Sequence, residues 1–291
     1  MPIHSSAVGR KIPGVNIEVT TRMLLAYAAG IGESSPCFFD DACPEGLVAT
    51  PSFCAALEWA VINERSESGN ALDLTADEAL HIVRAGQDST FYRPIRSGDK
   101  LHTSGEITQI KQTRAGALIV QKVETVADAT REPVVTSWLS WIVRGATIEG
   151  QDNEAECPEA LSAEPPSRSE LIATEVFIPR KTPHVYAECS GIWTPINTQR
   201  KSALVAGLPD VILHGMATWS IAGREVLKTQ GQNNPTRMKR FTADFRAMIV
   251  PGGTVRLLQG RCCSNPEAVY YCVENQHGET AVSGFAFLET L

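Results

Sequence analysis

The strongest constraint on the fold is a spacing that occurs twice. Tyr27, Gly32 and Pro36 stand in the same relation as Tyr186, Gly191 and Pro195, offset by 186 − 27 = 159 residues. Two more matches follow in the same order. Residues 48–53 open an apolar run as residues 211–216 do, and residues 91–99 read like 245–253, with Gly98 and Gly252 in step. One such match could be chance; three in one order mark a duplicated unit.

Between the copies, residues 147–170 carry Glu149, Asp152, Glu154, Glu156, Glu159 and Glu164 with Pro158, Pro165 and Pro166, and no apolar period. Such a segment buries too little to offset its ordering entropy, so a linker is expected there. The expected division is 1–146, an acidic linker at 147–170, and 171–291. Each half runs in one order. A short apolar segment leads to a Gly/Pro loop, then a helix near 51–64 and again near 215–228, with apolar residues at helical spacing. Strand-like runs follow at 118–123, 134–143, 254–258, 268–273 and 281–288. One long helix wrapped by an antiparallel sheet, made twice, is an α+β layer fold.

Composition narrows the function. The chain has 43% hydrophobic and 20% charged residues, a globular balance. Net charge is −7 with no Lys/Arg block, which argues against a nucleic-acid partner. Apolar runs such as 23–29 fall short of a membrane span, and no leader pattern opens the sequence. The ending Leu288-Glu289-Thr290-Leu291 lacks a peroxisomal tripeptide. A cytoplasmic location is expected, with the peroxisome left open. Cys37, Cys43, Cys54, Cys157, Cys189, Cys262, Cys263 and Cys272 form no Cys-x-x-Cys pair and no zinc-like interval with a His. They read as reduced, mostly packed thiols, with Cys262 and Cys263 on opposite faces of a strand. No metal or other cofactor is expected, and no dinucleotide, phosphate-loop or nucleophile-elbow motif is present.

The second copy carries the chemistry. Tyr186, then Ser190-Gly191-Ile192-Trp193-Thr194-Pro195-Ile196-Asn197, then Leu213-His214-Gly215 at a helix start, resembles the motif of the MaoC-like, (R)-specific enoyl-CoA hydratase (hydratase 2) family. That pattern runs Tyr, Ser/Gly-Gly-Asp-x-Asn-Pro-Leu/Ile-His, and later Leu-His-Gly. Arg93-Pro94, Arg96 and Gly98-Asp99 also resemble the turn signature of the family's N-terminal unit. The resemblance implies a double hotdog, two hotdog repeats with their sheets joined side by side. It implies a small-molecule substrate, CoA- or carrier-protein-linked, and leaves a homodimer open.

Two family residues are replaced. Ile192 stands where the family has Asp, and Asn197 where it has His. In the family that pair holds a water against the double bond of a 2-enoyl thioester and moves its protons. Ile192 has no titratable group, and Asn197 exchanges hydrogen bonds but no proton near neutral pH. The first copy has Glu33 at the Asp position and Phe38 at the His position.

Asn197, His214 and Glu33 are therefore the catalytic candidates, and Ile192, Trp193, Thr194, Gly215, Trp219 and Tyr186 the substrate-binding ones. Each has a plainer role. Glu33 reads as a loop cap or a base, His214 as a backbone-bonding residue or a proton carrier. The Gly215 N–H either polarises a carbonyl at a helix start or marks close packing. Tyr186 reads as a buried tyrosine bonded to its own loop. Trp193 and Trp219, flanking the motif loop and the helix opening, read as pocket walls. Trp138 and Trp141 turn to opposite strand faces. His81 and His184 read as surface or packing histidines. Asn197 and His214 must face a common hollow between two matching lobes for the site to work.

Three functions fit. One is a hydratase or dehydratase acting on an enoyl or β-hydroxyacyl thioester, or a related carbonyl compound, in a biosynthetic pathway, through a rewired site. Another is an isomerase or cyclase, pericyclic reactions of the Diels–Alder type included, which needs shape and a donor on a carbonyl but no base. The third is a non-catalytic acyl- or ligand-binding protein.

Overall fold

A computed structural model describes residues 2–42, 46–64 and 82–290; Cys43 and His81 lie outside the described residues. The N-terminal half runs β1 (Ile3–His4), β2 (Lys11–Glu18), α1 (Thr21–Gly30), α2 (Cys54–Glu64), β3 (Ile82–Phe91), β4 (Lys100–Thr113), β5 (Gly116–Ala127) and β6 (Pro133–Arg144). Short strands β7 (Ile148–Glu149) and β8 (Asn153–Glu154) lie in the connection. The C-terminal half runs β9 (Ile172–Ile178), α3 (Thr182–Ser190), α4 (Pro195–Thr198), α5 (Arg200–Val205), α6 (Gly215–Gln230), β10 (Met238–Phe245), β11 (Gly253–Arg261), β12 (Ala268–Glu274) and β13 (Thr280–Leu288).

Local chemistry starts and stops these elements. The Thr20 hydroxyl accepts the Met23 N–H and caps α1. Pro51 opens a tight turn that feeds α2. α3 stops at Gly191 with φ 74°, and the loop after α1 turns at Gly32 with φ 68°. A side chain at either would be strained, so both copies of the repeat need glycine there.

One sheet runs β2-β4-β5-β6-β3-β10-β13-β12-β11-β9, with β8 against β4. Each half supplies five strands in the same order, and β3 pairs antiparallel with β10 where they meet. Asp88 faces Thr242 in that pairing, and 242 − 88 = 154. The same offset relates Ile95 to Ile249 and Gly98 to Gly252. The Ala49 N–H donates to the Ile95 carbonyl at 2.9 Å, and the Leu213 N–H to that of Ile249 at 2.8 Å. Gly98 N–H bonds the Val19 carbonyl and Gly252 N–H that of Ile178, each at 2.7 Å. A pseudo-twofold axis therefore passes through the seam, and the architecture is the double hotdog, with α2 and α6 as the wrapped helices. These bonds also correct one alignment. They equate Ala49 with Leu213, so matching 48–53 to 211–216 is one residue out, and Thr50 is the counterpart of His214.

The connection is more ordered than its composition predicts. β7 pairs with β1, β8 pairs with β4, and the Asn153 amide donates to the Ser5 carbonyl at 3.1 Å. Arg240 donates to the Glu159 carbonyl at 2.5 Å, and Ser167 with Glu170 forms a capping box. Backbone pairing and side-chain bonds hold this segment, where apolar burial does not. The thiols are also less packed than expected. Cys54, Cys262 and Cys272 are buried, but Cys37, Cys157 and Cys263 are exposed. Trp138 and Trp141 do take opposite faces, Trp138 beneath Lys122 and Trp141 beneath Arg84. No described helix is long and apolar enough to cross a membrane.

Under α6 the core is apolar. Trp219, fully buried, stacks on Phe241 with centroids 4.7 Å apart, and Phe241 packs on Tyr271 at 5.2 Å. Trp219→Ala is expected to destabilise the protein by about 3–5 kcal/mol, seen as a lower urea midpoint at an unchanged m-value.

Candidate functional site

The C-terminal motif gathers α3, α4 and the start of α6 around one aromatic pair. His214 precedes α6 with an extended backbone, φ −57° and ψ 136°, and its ring centroid lies 5.2 Å from that of Tyr186. Tyr186 is 1% exposed and His214 5%. Neither imidazole nitrogen, nor the Tyr186 hydroxyl, makes a well-formed hydrogen bond among the described residues, although the Ile192 backbone lies near the imidazole and Tyr27 and Ser220 near the hydroxyl. Burial pushes the imidazole down to about 4, opposed by the Ile192 backbone and assisted by His184. His214 is therefore neutral at pH 7. Burial, and then Tyr27, hold the Tyr186 phenol well above its usual range.

Asn197 serves its loop. Its carboxamide oxygen accepts from the Thr194 hydroxyl, and its nitrogen donates to the Ile212 carbonyl at 2.8 Å. Thr194 also accepts the Thr198 hydroxyl on its carbonyl at 2.9 Å. Asn197 thus ties α4 to the strand-like approach of His214, with both ends of its amide engaged. Ile192 is buried in the main apolar cluster with Tyr186 and Leu213. Gly215 is a close-packing position, since a Cβ there would lie 3.0 Å from the Phe245 ring. It also begins a sixteen-residue helix, whose first N–H groups have no acceptor within the helix.

Several candidates lie elsewhere. Trp193 is 44% exposed, standing at the surface rather than walling a pocket. Trp219 belongs to the core on Phe241, because its helix position faces the sheet. Glu33 accepts the Ser34 and Ser35 N–H groups at 2.8 and 2.9 Å, so it caps its own loop. His184 bonds the Thr198 carbonyl at 2.8 Å. Asn197 bonds the chain two residues before His214, but a hollow lined by described residues lies at the other copy of the motif. It has about 170 Å³ and is walled by Thr50, Pro51, Phe91, Arg93, Met238 and Lys239. Glu33 borders a smaller hollow that shares Thr50, Pro51 and Met238 with it.

Sequence reasoning passed over a buried polar cluster on the inner face of the N-terminal half. Glu58 of α2, 2% exposed, accepts from the Gln87 amide and lies 3.7 Å from the Arg84 guanidinium. The available signal was a carboxylate within the apolar stripe of Cys54, Leu57 and Val61.

The depressed imidazole makes a prediction about stability. The unfolded chain protonates His214 near the usual 6.5 while the folded one resists until about 4. Protons thus favour the unfolded state, and stability falls as pH drops through that window. Wild type should lose up to about 3 kcal/mol more between pH 7 and pH 4 than His214→Gln does, measured by urea unfolding at both pH values.

Comparison with known proteins agrees with this geometry. Residues 6–137 match the FAS1-like dehydratase domain region and residues 162–260 the MaoC like domain. A probable enoyl-CoA hydratase 2 of Dictyostelium discoideum is 24% identical over 201 residues, covering 65% of this chain and 64% of that protein. The peroxisomal multifunctional enzyme type 2 of Mus musculus is 24% identical over 258 residues, 86% of this chain and 34% of that protein. The chain therefore spans less than two thirds of these relatives. A MaoC-like dehydratase from Phytophthora capsici superposes with a TM-score of 0.84 at 21% identity, covering 97% of this chain and 95% of that one. With both halves matched and the double hotdog formed, the chain joins a FAS1-like dehydratase region to a MaoC like domain.

Proposed function

We propose that this protein is a hydratase or dehydratase acting on an enoyl or β-hydroxyacyl thioester, or a related carbonyl compound, in a biosynthetic pathway, with proton transfer moved to His214. One observation carries the reading: a buried, neutral imidazole with both nitrogens unmet stands before α6 and beside Tyr186. An unmet buried polar atom costs about 1–3 kcal/mol, which a stability role does not repay. A neutral imidazole can take a proton from water and return it at the α-carbon. The orphaned N–H groups at the start of α6 suit a thioester oxygen. CoA linkage is favoured by the relatives named enoyl-CoA hydratase 2.

A second reading keeps its own support. Ile192 is sealed in the core and Asn197 is fully engaged by its loop, so neither replaced position retains proton chemistry. A base-free isomerisation or cyclisation suits that better.

Hydration of crotonyl-CoA and longer 2-enoyl-CoA thioesters separates the two. The hydratase reading expects wild-type turnover, a fall of kcat by about 10²-fold or more in His214→Gln, and no more than about a twofold change in Glu33→Gln. If wild type converts none of these thioesters while Ile192→Asp with Asn197→His does, the natural protein is no hydratase.

A further inference from the structure

We propose that the inner face of the N-terminal half recognises a hydroxyl-bearing acyl group, so that the substrate is an oxygenated rather than a plain alkyl thioester. The thioester part rests on the function proposed above; the acyl part goes beyond it.

The repeat supplies its own control. At the offset of 154 set by the seam, Arg84 and Gln87 stand where the C-terminal half has Met238 and Phe241. At the offset of 164 set by Ala49 and Leu213, Glu58 stands where that half has Ala222. The C-terminal set packs as apolar core. The N-terminal set forms a network instead. Gln87 Nε2 donates to the two Glu58 oxygens at 3.2 and 3.3 Å and to Ser89 Oγ at 2.6 Å. Ser89 and Ser137 share a bond of 2.8 Å. Arg84 donates to Gln87 Oε1 and lies 4.4 Å above the Trp141 ring.

Three changes at coordinated positions are a built cluster. The register of β3 on β6 breaks between Arg84 and Gly86, and Arg84 then pairs with Trp141 while Gln87 pairs with Leu139. Leu139 and Trp141 are two apart and share a face, so the bulge turns Arg84 inward beside Gln87. Stability does not account for the cluster. A buried Arg–Glu pair is often neutral or worse against apolar packing of the same volume, and the other half demonstrates that such packing is accessible to this fold.

Two polar atoms on that face remain unmet. Gln121 Oε1 is a buried acceptor without a donor, and Trp141 Nε1 a buried donor without an acceptor. Gln121 pairs with Leu139 and Ile119 with Trp141, which makes Gln121 and Trp141 diagonal neighbours on the inner face. A hydroxyl both donates and accepts, so one group can answer both. The cluster connects to the candidate site through the start of α2: Cys54 bonds Ser89 at 3.9 Å, Phe53 packs on Tyr27 at 5.4 Å between centroids, and Tyr27 on Tyr186 at 6.0 Å.

The test is binding. Calorimetry of wild type with hexenoyl-CoA and with its terminally hydroxylated analogue should show the hydroxylated thioester bound at least about tenfold more tightly. The triple variant Glu58→Ala, Arg84→Met, Gln87→Phe carries the residues of the other half. It should fold, bind the alkyl thioester and lose the preference. Gln121→Leu leaves the ion pair in place and should remove most of the preference by itself, deciding the matter if the triple variant does not fold. Equal binding by wild type, no binding of either thioester, or a preference that survives Gln121→Leu overturns the proposal. Hydration measured on the same samples keeps the two ideas apart: a binding preference without turnover sinks the hydratase reading and leaves this one standing.

Discussion

The pairing of β3 with β10 is the interaction on which the rest of the molecule depends. Five strands from either half would end in an open edge, a row of unpaired backbone groups prone to further pairing. Joining the two edges satisfies both rows. Arg240 reinforces the seam through two charge-assisted bonds to Asp88, at 2.8 and 2.6 Å, with both side chains largely buried. Centring the register on Asp88 and Thr242 also fixes the pseudo-twofold axis. That axis brings α1 against α3, with Tyr27 and Tyr186 6.0 Å apart between centroids.

Once paired, the copies were free to diverge, and the tyrosines record how. The Tyr27 hydroxyl donates to the Ser52 carbonyl at 2.6 Å and lies 3.0 Å from Ser220 Oγ. The Tyr186 hydroxyl has no such partner. Opposite Tyr186 stands an imidazole; the corresponding place beside Tyr27 holds Thr50, whose own loop opens on the larger hollow. Of the two tyrosines, Tyr27 has both its neighbours for its hydroxyl, while Tyr186 keeps its hydroxyl in reserve. In the motif loop Gly191 and Pro195 make the turn while Asn197 holds the Ile212 carbonyl.

What was legible in the sequence follows from what each signal depends on. Gly32 and Gly191 were readable because a left-handed turn requires glycine wherever it occurs. The two long helices and the later strands were readable from period, which depends only on which face is buried. The slip at residues 48–53 arose because Thr50-Pro51 and His214-Gly215 share no side-chain chemistry, and only the bonds to Ile95 and Ile249 fix the register. Trp193 and Trp219 were misplaced for a related reason: nearness to a motif loop in sequence says nothing about which side of the loop a ring takes. Glu58 was visible as a charge on an apolar stripe, but Gln87 is 29 residues away and becomes its partner only through the fold.

Ile192 and the depressed imidazole belong together physically. His214 lies near the Ile192 backbone, at the position where the resemblance leads one to expect an Asp. A carboxylate there would favour imidazolium and lift the imidazole back toward the neutral range. Ile192 supplies only burial, which pushes the other way, so the pocket favours uncharged groups throughout. Tyr186 responds alike, its phenolate disfavoured by burial and by Tyr27. A proton taken by His214 there would be held only briefly, since burial disfavours imidazolium. In the proposed reaction the substrate's carbonyl would carry the opposite charge, and the orphaned N–H groups at the start of α6 are dipoles able to meet it.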